Sequence, residues 1–267
     1  MRTLNLTAKI SLALATCLLT ASCADFFKNE KVGSAPASGN NAASPAGPST
    51  LPAEFQKPNE GPFSEQKMLI NIGTNIIARD VETFATQVPV FKNSLRQYCE
   101  ALSTGSAARR EETQAQLDWE RVMLAFHAVQ AAPFGPLLDN GRELNDFLYS
   151  WPLLNTCDID RRVVDNAKAT VDVNSLKLNV RGLGAVEYLL FEKTLKSACN
   201  LRAHPAMADW NARDEQSKKA ERCAWAQELT KDIEVKANSL QNKWSIQNGN
   251  FTKSLIDGSR YKSMKES

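Results

Sequence analysis

The sequence predicts an all-α fold, a helical bundle, on three observations. Apolar residues recur at three- and four-residue spacing from Ser64 to Ser245, Pro and Gly punctuate those runs, and no strand-turn-strand series occurs. With 267 residues, 43% hydrophobic and 23% charged, the chain is long enough for one large domain or two small ones.

The elements follow in order. Met68, Leu69, Ile72, Ile76, Ile77, Val81 and Phe84 form a stripe behind Ser64, a residue type that caps helix N-termini, so one helix is expected over Glu65–Thr86. Pro89 should interrupt it, because proline lacks the N–H that helix propagation needs. Val90, Phe91, Leu95, Tyr98 and Leu102 would then continue the stripe in a second piece that stops at Gly105. Ala107–Ala132 is rich in good helix formers, with an expected apolar face through Leu117, Leu124 and Val129, and Pro133-Phe134-Gly135-Pro136 ends it. Gly135–Ile159 reads as a connector holding one short helical turn around Arg142–Leu148 and the aromatics Phe147, Tyr149 and Trp151. A helix is expected from Asp160 to about Lys168, and Val171-Asp172-Val173 alternates for too few residues to assert a sheet. Gly182–Thr194 and Pro205–Ser245 are the last helices, the long one with Trp210, Trp225, Leu229, Ile233, Val235 and Leu240 on its buried side.

The N-terminus supplies an address. Met1–Lys9 is short and basic, Ile10–Leu19 is apolar but too short to be a stable membrane span, and Thr20-Ala21-Ser22-Cys23 follows. Residues 1–22 therefore read as a secretory signal. Small residues before Cys23 resemble a lipobox, with Thr20 where an aliphatic residue is usual; Cys17 offers a poorer site. The expectation is lipidation at Cys23, anchorage in the cell envelope, and an outer-membrane location facing the periplasm, with a soluble periplasmic protein as the alternative. Residues 23–63 hold six of the chain's eleven prolines among Ser, Ala, Asn and Gly, the composition of a tether rather than a core. The folded body is thus expected over residues 64–267. Arg2 and Lys9 account for the whole net charge of +2, because residues 1–22 contain no acid and 32 Lys+Arg face 30 Asp+Glu overall. No basic stripe argues for nucleic acid.

Glu187 is the residue with the most to explain. On a helix its neighbours at three and four residues are Leu183, Gly184, Leu190 and Phe191. An acid among apolar side chains needs a cation, a metal, a strong donor or a proton. Arg181 points elsewhere on an ideal helix, so a partner from another helix is expected. Gly182 and Gly184 would let a ligand or another backbone approach closely. Glu192, followed by Lys193 and Lys196, reads as solvated. The chain's only histidines are His127 and His204, which excludes a His-rich metal centre. His127 lies in the apolar run Leu124–Val129 and reads first as a packed helical residue, second as a ligand.

Gly182-Leu183-Gly184-Ala185-Val186-Glu187-Tyr188-Leu189-Leu190 resembles the G-x-H-x-x-E-(aromatic)-L-L signature of the imelysin family, helical cell-envelope proteins that include an insulin-cleaving membrane protease. Trp119, Phe134-Gly135-Pro136 and Ser150-Trp151-Pro152-Leu153 support the resemblance, which spans roughly residues 66–245. It implies two packed helical bundles with the motif near their interface, and a link to metal or iron acquisition. The expected ligand-binding residues are then Glu187, Gly182, Gly184 and Trp151, the expected metal ligands Glu187 and His127, and the possible cofactor a metal ion such as iron. Gly184 stands where the family has His and can ligate nothing. With no H-E-x-x-H either, a metallopeptidase loses its ligands and its base. No further helices follow for a complete second bundle, so a shortened member or a truncated reading frame is expected. Two functions remain: a binding component in metal uptake, or a structural or protein-interaction envelope lipoprotein whose site has decayed.

Cys99, Cys157, Cys199 and Cys223 lie in the body. An oxidising compartment favours two structural disulfides over a metal site, and four cysteines allow three pairings. The expected one is Cys99–Cys157 with Cys199–Cys223, the second closing a loop at the start of the last long helix.

Overall fold

The computed structural model describes residues 62–105, 108–245, 247–257 and 259. The signal segment, Cys23 and the tether up to residue 61 lie outside the described residues. Those described are helical with no strand among them, as the apolar spacing requires, and no described helix is long and apolar enough to cross a membrane.

Helix α1 (Glu65–Ile70) starts at Ser64, whose side chain accepts from the Lys67 N–H. It runs into a π-helical segment, Asn71–Ile77, and then α2 (Ala78–Ser103). A wider turn shifts the phase of the apolar stripe. Leu69, Ile77, Val81 and Phe84 stay buried, while Met68 and Ile76, expected inside, are exposed. Pro89 does not break α2. It sits on the solvent side, while Val88 and Phe91 on either side are buried. Packing outweighs the local break.

Helix α3 (Arg109–Gln130) folds back along α2, with the Phe84 and Phe126 rings 5.1 Å apart. Its buried face runs through Ala115, Trp119, Val122, Met123, Phe126 and Val129, leaving Leu117 and Leu124 exposed. The expected face through Leu117 and Leu124 was therefore about one residue out of register. Beyond it come α4 (Asp139–Leu148), which opens with a left-handed turn at Asn140, Gly141 and Arg142, and α5 (Thr156–Lys168), capped by Asn155 four residues before Ile159. The Val171–Val173 stretch leads into a 3₁₀ turn rather than a strand.

Helix α6 (Gly182–Phe191) is buried along most of its length. The last long helical region is two helices, α7 (Met207–Ala212) and α8 (Glu215–Trp244), because Asp214 caps a new N-terminus by accepting from Ser217. Helix α8 returns antiparallel to α2: Gln216 donates to the Leu102 carbonyl at one end, and Lys92 pairs with Glu234 at 2.6 Å further along. Val235, expected inside, is exposed. Helix α9 (Phe251–Asp257) packs Phe251 against Trp244 and lies beside α1.

That antiparallel return decides the disulfides. Cys99 on α2 bonds Cys223 on α8, and Cys157 on α5 bonds Cys199 in the loop before α7. The pairing Cys99–Cys157 with Cys199–Cys223 is overturned. Cysteines close in sequence are not close in the bundle, because α8 lies along α2 while α5 faces the loop after α6.

Candidate functional site

The motif helix α6 is fixed by its surroundings before any site chemistry is considered. Gly182 has φ +78°, and a Cβ there would stand 2.5 Å from the Phe147 carbonyl oxygen, so only glycine lets the chain turn into α6 against the end of α4. Just before it, Arg181 is fully buried: its guanidinium binds Asp232 at 2.7 Å and stacks over Phe147 at 4.4 Å. Helix α3 holds α6 from the side, with Trp119 donating to the Leu183 carbonyl at 3.4 Å and Gln116 to the Leu190 carbonyl at 3.1 Å.

This clamp brings Glu187 of α6 into the field of His127 of α3. Glu187 is half-buried rather than enclosed. Burial pushes its carboxyl above the ordinary glutamate range, and His127 acts in the opposite direction. Among the described residues no Lys or Arg is ion-paired with it. The expected partner from another helix is thus met only through the field of His127, which forms no ion pair with Glu187.

Tyr149 completes the group. Its ring meets that of His127 edge-on, with centroids 6.1 Å apart, and lies over Gly184, where a Cβ would be 3.5 Å from the ring. Its phenol is pushed up by burial and by the Glu187 charge. A Cβ at Gly184 would be in ordinary van der Waals contact with Tyr149 and Leu154, but an imidazole there would displace both. His127 is exposed, which corrects the reading of it as a packed core residue. Trp151, beside a cis Pro152, is 67% exposed and is not packed in the core. Glu192 is exposed, in keeping with the sequence.

A carboxylate, an imidazole and a phenol can accept or donate protons and can bind a cation. Among the described residues no three His, Cys, Asp or Glu are grouped to hold a metal ion. Two donors do not fit a closed resident metal centre, which takes four, but they fit a cation that keeps other ligands.

Sequence reasoning missed a second polar cluster. Asp160, Arg222 and Tyr188 are joined in the interior, and the carboxylate also accepts from the Ala198 N–H at 2.7 Å. The signal was present: Arg222 shares a helical stripe with Ala226, Leu229 and Ile233. Beside this cluster a cavity of about 480 Å³ is lined by Tyr98, Glu112, Gln116, Lys219 and Arg222. Neither Glu187 nor His127 lines it. We place the candidate site at the motif, where a partly desolvated acid lacks a full charge partner, because the cavity's buried guanidinium is already paired.

The family model for imelysin, peptidase M75, matches residues 78–266. A solved imelysin-like protein from Psychrobacter arcticum 273-4 has the same fold at TM-score 0.54 and 15% identity, with 80% of this chain and 56% of that one covered. This chain thus spans little over half the length of that relative. No curated protein matches the chain. Motif helix, bundle and family match agree, and the chain belongs to the imelysin family.

Proposed function

We propose that this protein is exported, anchored to the envelope through lipid on Cys23, and binds a metal cation such as iron as cargo at the His127–Glu187 pair without cleaving peptides. What supports the reading is that Glu187 on α6, a carboxylate held partly out of water without a full charge partner, feels the charge of His127 on α3. Imidazole and carboxylate are ligands that divalent transition cations accept. Two protein donors leave coordination positions for water or for a carrier, which suits capture and release. Gly182 turns the chain into the site, Gly184 lets the Tyr149 ring lie against α6, and exposed Trp151 stands on the connector that bears Tyr149, available to a ligand larger than a bare ion.

A second reading, a structural or protein-interaction lipoprotein, draws on Tyr149 and Leu154 filling the space over Gly184 and on exposed Leu124, Trp151 and Leu153. The peptidase reading has no support from Gly184, which supplies neither ligand nor base. Calorimetric titration of the full chain with Fe²⁺ and Zn²⁺ separates the first two. Binding is expected for the wild type and should weaken by at least about tenfold, roughly 1.4 kcal/mol, in both Glu187→Gln and His127→Ala. Silence across both cations would favour the second reading. For the anchor, a fatty-acid analogue should label the wild type but not Cys23→Ala; equal labelling of both removes the anchor from the proposal.

A further inference from the structure

Behind His127 runs a chain of side-chain hydrogen bonds that the cation reading does not use. His127 Nδ1 lies 3.2 Å from Gln130 Oε1, Gln130 Nε2 donates to Asn145 Oδ1 at 2.9 Å, and Asn145 Nδ2 donates to Asp146 Oδ1 at 3.0 Å. Asn145 is buried, Gln130 and Asp146 are half-buried, and Arg142 approaches the Asp146 carboxylate at 3.7 Å.

The direction of this chain follows from its far end. An ionised carboxylate only accepts, so the amide group that Asn145 turns toward Asp146 must be its NH₂. Its oxygen then faces Gln130, which must answer with its own NH₂. The Gln130 oxygen is left facing His127, and it accepts only if Nδ1 carries the proton. Flipping either amide would set oxygen against oxygen or NH₂ against NH₂ somewhere along the line, so the polarity rests on the charge of Asp146 and not on how any one amide is drawn.

We infer that Asp146, acting through Asn145 and Gln130, fixes the neutral His127 ring as its Nδ1–H tautomer and so leaves Nε2 as the lone-pair nitrogen that the site offers a cation. These three are positioning residues: none need touch the cation, and all act through His127. The arrangement does by relay what a carboxylate bonded directly to a metal-binding histidine does: it fixes the tautomer and orients the ring. The statement about what Nε2 is for rests on the proposed cation site; the tautomer does not.

The chain's two histidines make the test simple. With ¹⁵N-histidine in the full chain, at about pH 8 where imidazole is neutral, long-range ¹H–¹⁵N correlation reads which nitrogen carries the proton, and His127→Ala assigns the signals. Wild-type His127 should show protonated Nδ1 and unprotonated Nε2, the reverse of the usual preference of a free imidazole. Gln130→Met should lose that preference, and Asp146→Asn, which can present either end of its amide, should relax it toward a mixture. Unchanged His204 signals report that each variant is folded. A wild-type Nε2–H tautomer overturns the inference, as does an Nδ1–H tautomer that persists unchanged in Gln130→Met. Added Zn²⁺ should shift Nε2 in the wild type. If the ring is Nδ1–H but Zn²⁺ moves neither nitrogen, the relay stands and the cation reading falls.

Discussion

Arg222→Met is expected to cost about 3–5 kcal/mol of stability, because it leaves a buried carboxylate without its cation. Asp160 is fully buried, and Arg222 is its ion-pair partner at 3.3 Å. The same guanidinium donates to the Glu192 and Thr194 carbonyls and lies between the rings of Tyr188 and Trp210, at 5.3 Å and 5.4 Å. One side chain therefore joins α5, α6, α7, α8 and the loop after α6. Burial pushes the Asp160 carboxyl up, while the Ala198 N–H, Arg222 and Tyr188 hold it down. Removing Arg222 takes away one of those restraints, so the acid's folded-state pKa rises further above its unfolded value. Such a group supports folding at low pH and loses that support as pH rises through its folded pKa. The deficit of Arg222→Met should thus be largest near neutrality and shrink on acidification. Adding Asp160→Asn should recover part of it, since the stranded charge goes with the carboxylate. Denaturant unfolding of the two single variants and the double variant measures this; a cost below about 1 kcal/mol for Arg222→Met would show that the cluster is not holding the fold.

Opening the Cys99–Cys223 bridge is expected to have a comparable effect. Its cysteines are 124 residues apart in sequence, against 42 for Cys157–Cys199. Loop-closure entropy grows with the logarithm of loop length, giving about 5 kcal/mol for the longer loop and about 4 kcal/mol for the shorter at 25 °C, before relaxation of either state reduces both. Cys99→Ser with Cys223→Ser should therefore destabilise more than Cys157→Ser with Cys199→Ser. Thermal unfolding under non-reducing conditions ranks them, and the opposite order would mean that residual structure in the unfolded chain outweighs loop length.

The helices were legible because their apolar stripes are local. Leu95, Tyr98 and Leu102, or Leu229, Ile233 and Leu240, announce a buried face from spacing alone, and the structure buries all of them. What failed was where local sequence met a nonlocal answer. Pro89 is a helix breaker by its own chemistry but continues α2 because Val88 and Phe91 are packed around it. The cysteine pairing required knowing that α8 returns along α2. Glu187 was legible as a problem, an acid among Leu183, Leu190 and Phe191, but nothing in its own segment placed His127 within its field. That placement depends on Trp119 and Gln116 pinning α3 against α6. Arg181 and Asp232 likewise meet only through the fold, although each sits in or beside an apolar run that foretold burial.

Whether Glu187 is kept for a ligand and not for the fold is decided by thermal unfolding of Glu187→Gln beside the wild type, without added metal, from about pH 4 to about pH 8. Burial raises the Glu187 carboxyl, and His127 only partly offsets that. An acid whose folded pKa lies above its unfolded one favours folding below the unfolded value, and that contribution disappears as pH rises through the folded value. Gln carries no such charge. Glu187→Gln is expected to match or exceed the wild type near neutrality, with any advantage shrinking toward pH 4. A variant less stable than the wild type by about 3–5 kcal/mol at neutral pH, the penalty for breaking a buried ion pair, would contradict it and make Glu187 a structural residue.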